Sequence, residues 1–125
     1  MTPPYQLFIA NKNKKLKNIY SQFKSKSIPI IKMRQTHSNN IKEISLIPSK
    51  KLNSINNTDA IYTSLSNIAL AVKFADCMPL VIYHPKKTIC VIHAGRAGSQ
   101  KQIVKKTLLK LTSKLNTKEN YEIYI

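Results

Sequence analysis

The stretch that decides the fold is residues 73–99, "KFADCMPLVIYHPKKTICVIHAGRAGS". It contains two continuous apolar runs, residues 79–84 and 88–93, separated only by "PKK". Continuous apolar runs of this length are typical of strands that are buried on both faces. The short break between them predicts a tight turn. An acid and a thiol, Asp76 and Cys77, lie just before the first run. Packing of a buried strand does not account for them, because a buried carboxylate is costly unless it is paired.

Periodicity predicts further elements before this stretch. Apolar residues at spacings of three and four predict a short amphipathic helix within residues 11–27. Runs of β-forming residues predict strands at 28–35 and 41–47, joined by a hairpin or by a sharp corner, and another at 59–63. The turn-forming composition of residues 48–58 predicts a loop between them.

Two further strands and a second helix are predicted around the apolar runs. Residues 67–77 alternate bulky and small side chains, which predicts a strand with one face of small residues, ending in a thiol and leaving room for a ligand. Residues 99–115 carry an apolar stripe at helical spacing, formed by Val104, Leu108, Leu111 and Leu115. Ser99 and Gln102 match a capping box. The last five residues, "YEIYI", predict a final strand.

Length and charge limit the class of protein. A chain of 125 residues predicts a single domain over residues 1–125. The net charge of +16 would suit a nucleic-acid ligand, but only Arg34 and Arg96 are arginine and the lysines are spread along the chain. Because base and phosphate recognition favour arginine, we expect a lysine-rich solvated surface and no specific nucleic-acid site.

The N-terminal sequence and the hydropathy favour a cytoplasmic protein. No apolar run approaches the roughly 18 residues that a membrane span requires. The first basic residues follow the first apolar ones, which is the reverse of the order in a secretory signal. In that compartment the two cysteines, Cys77 and Cys90, are expected to be thiols. We therefore predict no membrane partner.

Residue type and position nominate three metal ligands: His37, Cys77 and His93. Each stands at or just past the end of a predicted strand, where side chains from separate segments converge. Two imidazoles and one thiolate suit zinc with a fourth position left open, and copper accepts the same set. The wide spacing excludes a local zinc finger, so the alternative of three unrelated residues stays open.

The stretch "HAGRAGSQ", residues 93–100, carries the features of an anion site. Gly95 and Gly98 form a turn that leads into a predicted helix start at Ser99, and such a start presents unpaired backbone N–H groups to an anion. Arg96 adds a charged fork for phosphate or carboxylate. The alternative is a strand-to-helix turn that needs glycine only for its backbone angles.

Three motifs resemble, in order and in spacing, those of the YfiH-type family. The family motifs are Gln-Val-His-Gly, Thr-Ala-Asp-Cys-hydrophobic-Pro and His-Ala-Gly-Trp-Arg-Gly. Their counterparts here are "QTHS" at 35–38, "FADCMP" at 74–79 and "HAGRAG" at 93–98, within a resemblance over about residues 30–110. Members are described as polyphenol (laccase-like) oxidoreductases, as purine nucleoside phosphorylases and as the peptidoglycan editing factor.

The resemblance implies a fold, a metal and an activity. It implies a layered α/β/α fold around a mixed sheet, incomplete in this chain. It implies that His37, Cys77 and His93 bind Zn²⁺ and line the active site as catalytic residues. The substrates would be purine nucleosides and phosphate, with phosphorolysis of adenosine, inosine, guanosine and methylthioadenosine and deamination of adenosine. Copper-dependent phenol oxidation is an older attribution.

Three departures from the family pattern bear on this expectation. The third motif has lost its tryptophan and its arginine is displaced to Arg96, and Ser38 replaces a glycine. Family members are also longer and continue with a Gly-Pro and a Cys-Cys-Tyr-Glu segment. The chain therefore resembles the N-terminal half of a member. The alternative to an active enzyme is therefore an inactive truncated fragment that needs a second chain.

Other candidate residues have two interpretations or a minor role. Asp76 is a candidate to orient a ligand or move a proton, or it caps a strand end. Cys77 as nucleophile with His93 as base would make a metal-free hydrolase. Gly95, Arg96, Gly98 and Ser99 form the predicted phosphate site. Asp59 is expected to be structural, His84 exposed and without a role, and Cys90 part of the core.

Overall fold

The computed structural model describes residues 5–9, 14–75, 77–84, 87–115 and 122–124. Within these ranges the chain forms two helices and eight strands. In chain order they are α1 (Lys14–Ser25), β1 (Ile30–Met33), β2 (Ile41–Glu43), β3 (Leu52–Ile55), β4 (Ala60–Thr63), β5 (Ala69–Leu70), β6 (Met78–His84), β7 (Thr88–Ala94), α2 (Ala97–Leu115) and β8 (Glu122–Tyr124).

A five-stranded mixed sheet in the order β2-β4-β7-β6-β8 forms the centre of the fold. Strands β6 and β7 pair antiparallel over their full length, with His84 opposite Thr88 at the turn and Met78 opposite Ala94 at the far end. This pairing confirms the hairpin predicted from the two apolar runs. Strand β2 pairs parallel with β4, which makes the sheet mixed, as expected.

Helix α2 covers one face of this sheet. Alternate residues of the central strands point toward it and form one core cluster with Ile103 and Leu111 of the helix. Val104 and Leu108 are partly buried against the same cluster. The predicted helical stripe is therefore correct, although Ile103, which is 1% exposed, was not part of it. An ion pair between Lys114 and Glu43 also links α2 to β2.

A three-stranded parallel sheet, in the order β3-β1-β5, covers the opposite face. Its Ile31 and Met33 form a second core cluster with Ile61 and Val91 of the five-stranded sheet. The central strands are thus covered on both faces, which is the reason that their sequences read as unbroken apolar runs. The α/β class and the mixed sheet are confirmed, whereas the separate small sheet was not predicted.

Two predictions about this small sheet were wrong. Residues 48–58 are not only loop, because Leu52–Ile55 form β3. That strand lies at a sheet edge and alternates exposed and half-buried residues, so its polar composition resembles a loop. Residues 67–77 form only the short strand β5. Beyond it, the side-chain amide of Gln35 bonds both the N–H and the C=O of Lys73 at 2.8 Å, replacing backbone pairing.

Of the two connections expected between β1 and β2, the corner is correct, because these strands belong to different sheets. Two smaller expectations need correction. Helix α2 begins at Ala97, so Ser99 lies inside its first turn and does not cap it. His84 was expected to be exposed but is 1% exposed, because it forms the last rung of the β6–β7 pairing. Among the described helices, none is long and apolar enough to cross a membrane.

Candidate metal centre

The loop over residues 34–40 carries His37 from one sheet to the other. Strand β1, before the loop, belongs to the small sheet, and β2, after it, belongs to the large one. His37 adopts a φ of 60°, in the left-handed region that residues other than glycine seldom occupy. Backbone strain of this kind clusters at functional sites and persists only where the surroundings enforce it.

The side chain of Asp59 enforces this conformation. The backbone N–H groups of Thr36, His37 and Ser38 all donate to its carboxylate, at 3.1, 3.2 and 2.8 Å. The Ser38 hydroxyl donates a further bond at 2.6 Å. Asp59 is fully buried at the start of β4, so the loop closes over a carboxylate that has no exposure to water.

The same carboxylate contacts the second histidine. Nδ1 of His93 lies 2.7 Å from Oδ2 of Asp59, and both side chains are buried. The backbone N–H of His93 also donates to the Asp59 carbonyl at 2.7 Å. Burial acts to raise the pKa of Asp59, but the hydrogen bonds from Ser38 and His93 outweigh it and leave that pKa below its ordinary value. Asp59 is therefore a carboxylate at neutral pH.

Strand register brings Cys77 to the same place. Strand β6 begins at Met78, which pairs with Ala94, and Pro79 pairs with His93. Cys77 thus stands beside the last rung of β7. Alternation along β7 places His93 on the same face as Val91, which is the face that the small sheet covers. The predicted convergence of strand ends is what the topology produces.

The three side chains form a compact donor group of two nitrogens and one sulfur. Nε2 of His37 lies 3.9 Å from Sγ of Cys77. One ligand atom from each of the three residues lies within 4.8 Å of the others. With zinc bonds of about 2.0–2.3 Å, ligand atoms around one tetrahedral ion are roughly 3.3–3.7 Å apart. Small side-chain rotations would close the remaining gap, so the donor set fits a zinc or copper ion.

Burial is graded across this group. His93 is buried, Cys77 is half-buried and His37 is exposed. A metal ion held here would therefore be fixed on its inner side by the protein and would face solvent on its outer side. This is the arrangement of an ion that keeps an open coordination position, as catalytic zinc does.

Gly95 leaves room for the His37 ring. A Cβ atom at position 95 would lie 3.2 Å from Cδ2 of His37. Neither described glycine has a positive φ, so Gly95 is not required for its backbone angles. The close approach of the β7–α2 turn to the imidazole accounts for it instead. The rings of His37 and His93 are then 5.2 Å apart between centroids, in an edge-on arrangement.

The remaining predicted site residues are not part of this group. Asp76 lies outside the described residues. Arg96 is exposed and directly precedes α2, while Gly98 and Ser99 lie in the first turn of that helix. Cys90 is fully buried, and burial raises the pKa of its thiol, so it belongs to the core as predicted.

The sequence analysis missed the second function of Asp59. Its expected structural role accounts for its bonds to the loop but not for its contact with His93. The available signal was its position: an acid at the start of a predicted strand, "DAIYT", is poorly placed for a solvated surface residue. An acid that begins a buried strand needs hydrogen-bond donors from elsewhere in the chain.

Comparison with known proteins finds one family and several relatives whose sequences resemble this chain. Residues 9–125 match the family described as multi-copper polyphenol oxidoreductase laccase. The purine nucleoside phosphorylase YlmD of Bacillus subtilis is 37% identical over 86 residues, covering 64% of this chain and 31% of that protein. A purine nucleoside phosphorylase of Clostridium acetobutylicum is 31% identical over 115 residues, covering 90% of this chain and 46% of that protein.

Solved structures agree on the fold. YlmD of Geobacillus stearothermophilus superposes with a TM-score of 0.69 at 17% identity, covering 85% of this chain and 43% of that one. The hypothetical protein YfiH of Bacillus licheniformis superposes with a TM-score of 0.65 at 19% identity, covering 86% and 45%. The chain spans less than half the length of these relatives. With the match over residues 9–125, it belongs to the YfiH-type family of laccase-like multi-copper polyphenol oxidoreductases.

Proposed function

We propose that this chain carries the metal-binding half of a cytoplasmic, zinc-dependent purine nucleoside phosphorylase. The observation that carries the proposal is the convergence of His37, Cys77 and His93, whose ligand atoms lie within 4.8 Å of one another. The names of the curated relatives supply the reaction class. The graded burial of the three ligands supplies an open side from which a nucleoside can approach.

In this proposal the chain's own residues bind and orient the reactants. Asp59 accepts a hydrogen bond from Nδ1–H of His93, which leaves Nε2 of that ring for the metal. The exposed guanidinium of Arg96 and the N–H groups at the start of α2, near Gly98 and Ser99, hold phosphate through charge-assisted hydrogen bonds. A phosphate oxygen then attacks C1′ of the ribose and the C1′–N9 bond breaks. The departing base takes up the proton that the attacking phosphate or water gives up, and the products are the free base and ribose 1-phosphate.

A bound zinc ion would supply Lewis acidity toward the purine and would lower the pKa of water at the open position. The second proposed reaction is deamination of adenosine, in which water adds at C6 and ammonia leaves. Methylthioadenosine would undergo the same phosphorolysis as other nucleosides, because its altered 5′ group is remote from C1′. Asp76 is retained as a candidate proton carrier on its sequence position alone.

The experiment is to purify the chain and to measure its zinc content and its inosine phosphorolysis, alongside Cys77→Ala. Cys90→Ala is the matched control, because it removes a thiol from the core and leaves the donor group intact. We expect zinc and activity to fall in Cys77→Ala and to persist in Cys90→Ala. Equal zinc content in all three proteins would contradict the proposed ligand set.

Two alternatives have distinct signatures. The family description favours copper-linked phenol oxidation as a second candidate, which predicts phenol oxidation by the copper-loaded chain and none by the zinc-loaded chain. A metal-free hydrolase using Cys77 and His93 would keep its activity after chelation, whereas the zinc enzyme would lose it.

A second polypeptide is proposed to complete the active site. The relatives are more than twice the length that this chain covers in them. Adding a separately expressed C-terminal half of one of these relatives should then raise phosphorolysis above that of either chain alone. Unchanged activity in the mixture would count against a partner chain.

A further inference from the structure

We propose that Asp59 is a positioning residue that sets both histidines of the donor group through its two carboxylate oxygens. The proposal rests on the function proposed above and adds a residue that no predicted ligand set contained. It follows from the way the two oxygens are shared. Oδ1 accepts from Thr36 N–H, Ser38 N–H and the Ser38 hydroxyl, while Oδ2 accepts from His37 N–H and faces His93 Nδ1.

On the His93 side, the carboxylate selects the tautomer. A carboxylate only accepts hydrogen bonds, so the 2.7 Å contact requires a proton on Nδ1 of His93. The neutral ring then carries its lone pair on Nε2, the nitrogen that remains for a metal. Both side chains are buried, so water does not compete for this contact.

On the His37 side, the carboxylate holds the loop. Three successive N–H groups, those of Thr36, His37 and Ser38, converge on it and stabilise the φ of 60° at His37. A left-handed conformation is strained for a residue other than glycine, and the surroundings must compensate for that strain. Without these bonds, the loop relaxes and the exposed imidazole of His37 moves away from Cys77.

Because the Asp59 carboxylate contacts both the His37 loop and the His93 ring, Asp59→Asn tests the proposal directly. An amide has one accepting oxygen and one donating NH₂ group. If its oxygen faces the loop donors at the Oδ1 position, its NH₂ faces His93 and forces that ring to accept at Nδ1 and to carry the proton on Nε2. The nitrogen that should bind the metal is then blocked. The same NH₂ group also faces the His37 N–H, which loses its acceptor, so the His37 loop keeps only its bonds to the amide oxygen.

The first measurement is the tautomer of His93 in the metal-free chain, read from its ring ¹⁵N chemical shifts. We expect the Nδ1–H form in the wild type and the Nε2–H form in Asp59→Asn. The second is zinc affinity by chelator competition, with the absorption spectrum of the cobalt-substituted protein as a report of ligand geometry. Loss of an outer partner of a metal ligand costs about 10–100-fold in affinity.

Thr63→Val serves as the matched control. Thr63 is equally buried and bonds the carbonyl of Ile44 at 2.6 Å, away from the donor group. This variant should lose stability but keep zinc affinity and the cobalt spectrum. A wild-type His93 in the Nε2–H form, or an Asp59→Asn protein that binds zinc as the wild type does, would overturn the proposal. Zinc binding without phosphorolysis in the wild type would refute the proposed function alone.

A separate observation, a cleft on the small sheet, supports a second proposal. The open cleft measures about 810 Å³ and is lined by three basic residues, Lys32, Arg34 and Lys73, while the described residues that line it include no carboxylate. Hydrogen bonds link parts of its lining, because Gln35 bonds the backbone of Lys73 and Thr36 bonds Asn57. We infer that this cleft binds a small oligophosphate.

The probe for this cleft is inorganic tripolyphosphate, titrated by calorimetry at near-physiological salt to screen dispersed charges. Arg34→Gln should weaken binding at least about tenfold, because it removes a charge-assisted contact with the phosphate oxygens. Lys105→Gln and Lys110→Gln, on the exposed side of α2, are the matched controls and should bind as the wild type does. Equal weakening in all variants, or no binding at all, would overturn the proposal.

Discussion

The Sγ atom of Cys77 lies 3.9 Å from Nε2 of His37, although 40 residues of chain separate the two. This proximity depends on both sheets. The His37 loop leaves the small sheet, while Cys77 precedes the first strand of the central hairpin. The donor group therefore exists only in the folded chain, and the first prediction follows from that dependence.

Zinc should stabilise the folded chain by mass action. A ligand that binds only the native state at about 100 times its Kd adds roughly 2.7 kcal/mol to the free energy of unfolding. We expect a gain of this order in urea unfolding of the wild type when zinc is added. Cys77→Ala should show a far smaller gain, and an equal gain in both would mean that the zinc binds elsewhere.

Gly95→Ala should weaken zinc binding while leaving the fold intact. The new Cβ would lie 3.2 Å from Cδ2 of His37, so the imidazole must shift by a few tenths of an ångström relative to Cys77 and His93. We expect a loss of about tenfold in zinc affinity, at the lower end of the range for outer partners of metal ligands. Chelator competition measures the affinity, and a melting temperature close to that of the wild type verifies the fold.

The matched control for this change is Ala71→Gly, which alters a half-buried backbone position of the small sheet away from the donor group. It should cost some stability but not zinc affinity. If Gly95→Ala bound zinc as tightly as the wild type, the close approach of the turn to His37 would have no importance for the site.

The two thiols should differ in reactivity. Cys90 is fully buried, and burial raises the pKa of its thiol, so almost no thiolate is present at neutral pH. Cys77 is half-buried. Iodoacetamide should therefore label Cys77 in the native chain and reach Cys90 only after denaturation. Mass spectrometry of the digest locates the label.

Zinc gives this labelling experiment its control. Since the metal would occupy the Cys77 sulfur, saturating zinc should slow the native labelling, and a chelator should restore it. Protection of Cys90 alone, or no protection of either thiol, would argue that Cys77 is not a ligand.

Core truncation on the helix side of the large sheet should be severe. Ile92 is fully buried between β7 and α2, so Ile92→Ala should lower the free energy of unfolding by about 2–5 kcal/mol. Leu109→Ala is the matched control, because Leu109 lies on α2 but is 61% exposed. Urea unfolding of both variants measures the contrast, and similar losses would contradict the packing of α2 against this sheet.

The sequence was most informative where side chains have one dominant role. The apolar runs at 79–84 and 88–93 predicted the central hairpin because strands covered on both faces need apolar residues at every position. Helix α2 was predicted from its spacing for a similar reason. The three donors at predicted strand ends were nominated by residue type, and the structure brings them together.

The sequence was least informative where geometry is set by partners far along the chain. Strand β3 was missed because an edge strand with exposed residues has the composition of a loop. The 67–77 strand was overextended because Gln35, a side chain from another segment, takes over the pairing. The link from Asp59 to His93 joins positions 34 residues apart, and no local pattern encodes it.

The left-handed turn at His37 has a consequence for how the chain matures. Asp59 holds this conformation only when it lies under the loop, and it is placed there where β4 pairs with β7. The last region to become ordered should thus be the metal pocket itself. Zinc binding would then report that a molecule has completed folding, because a collapsed chain without the pocket would not bind the ion.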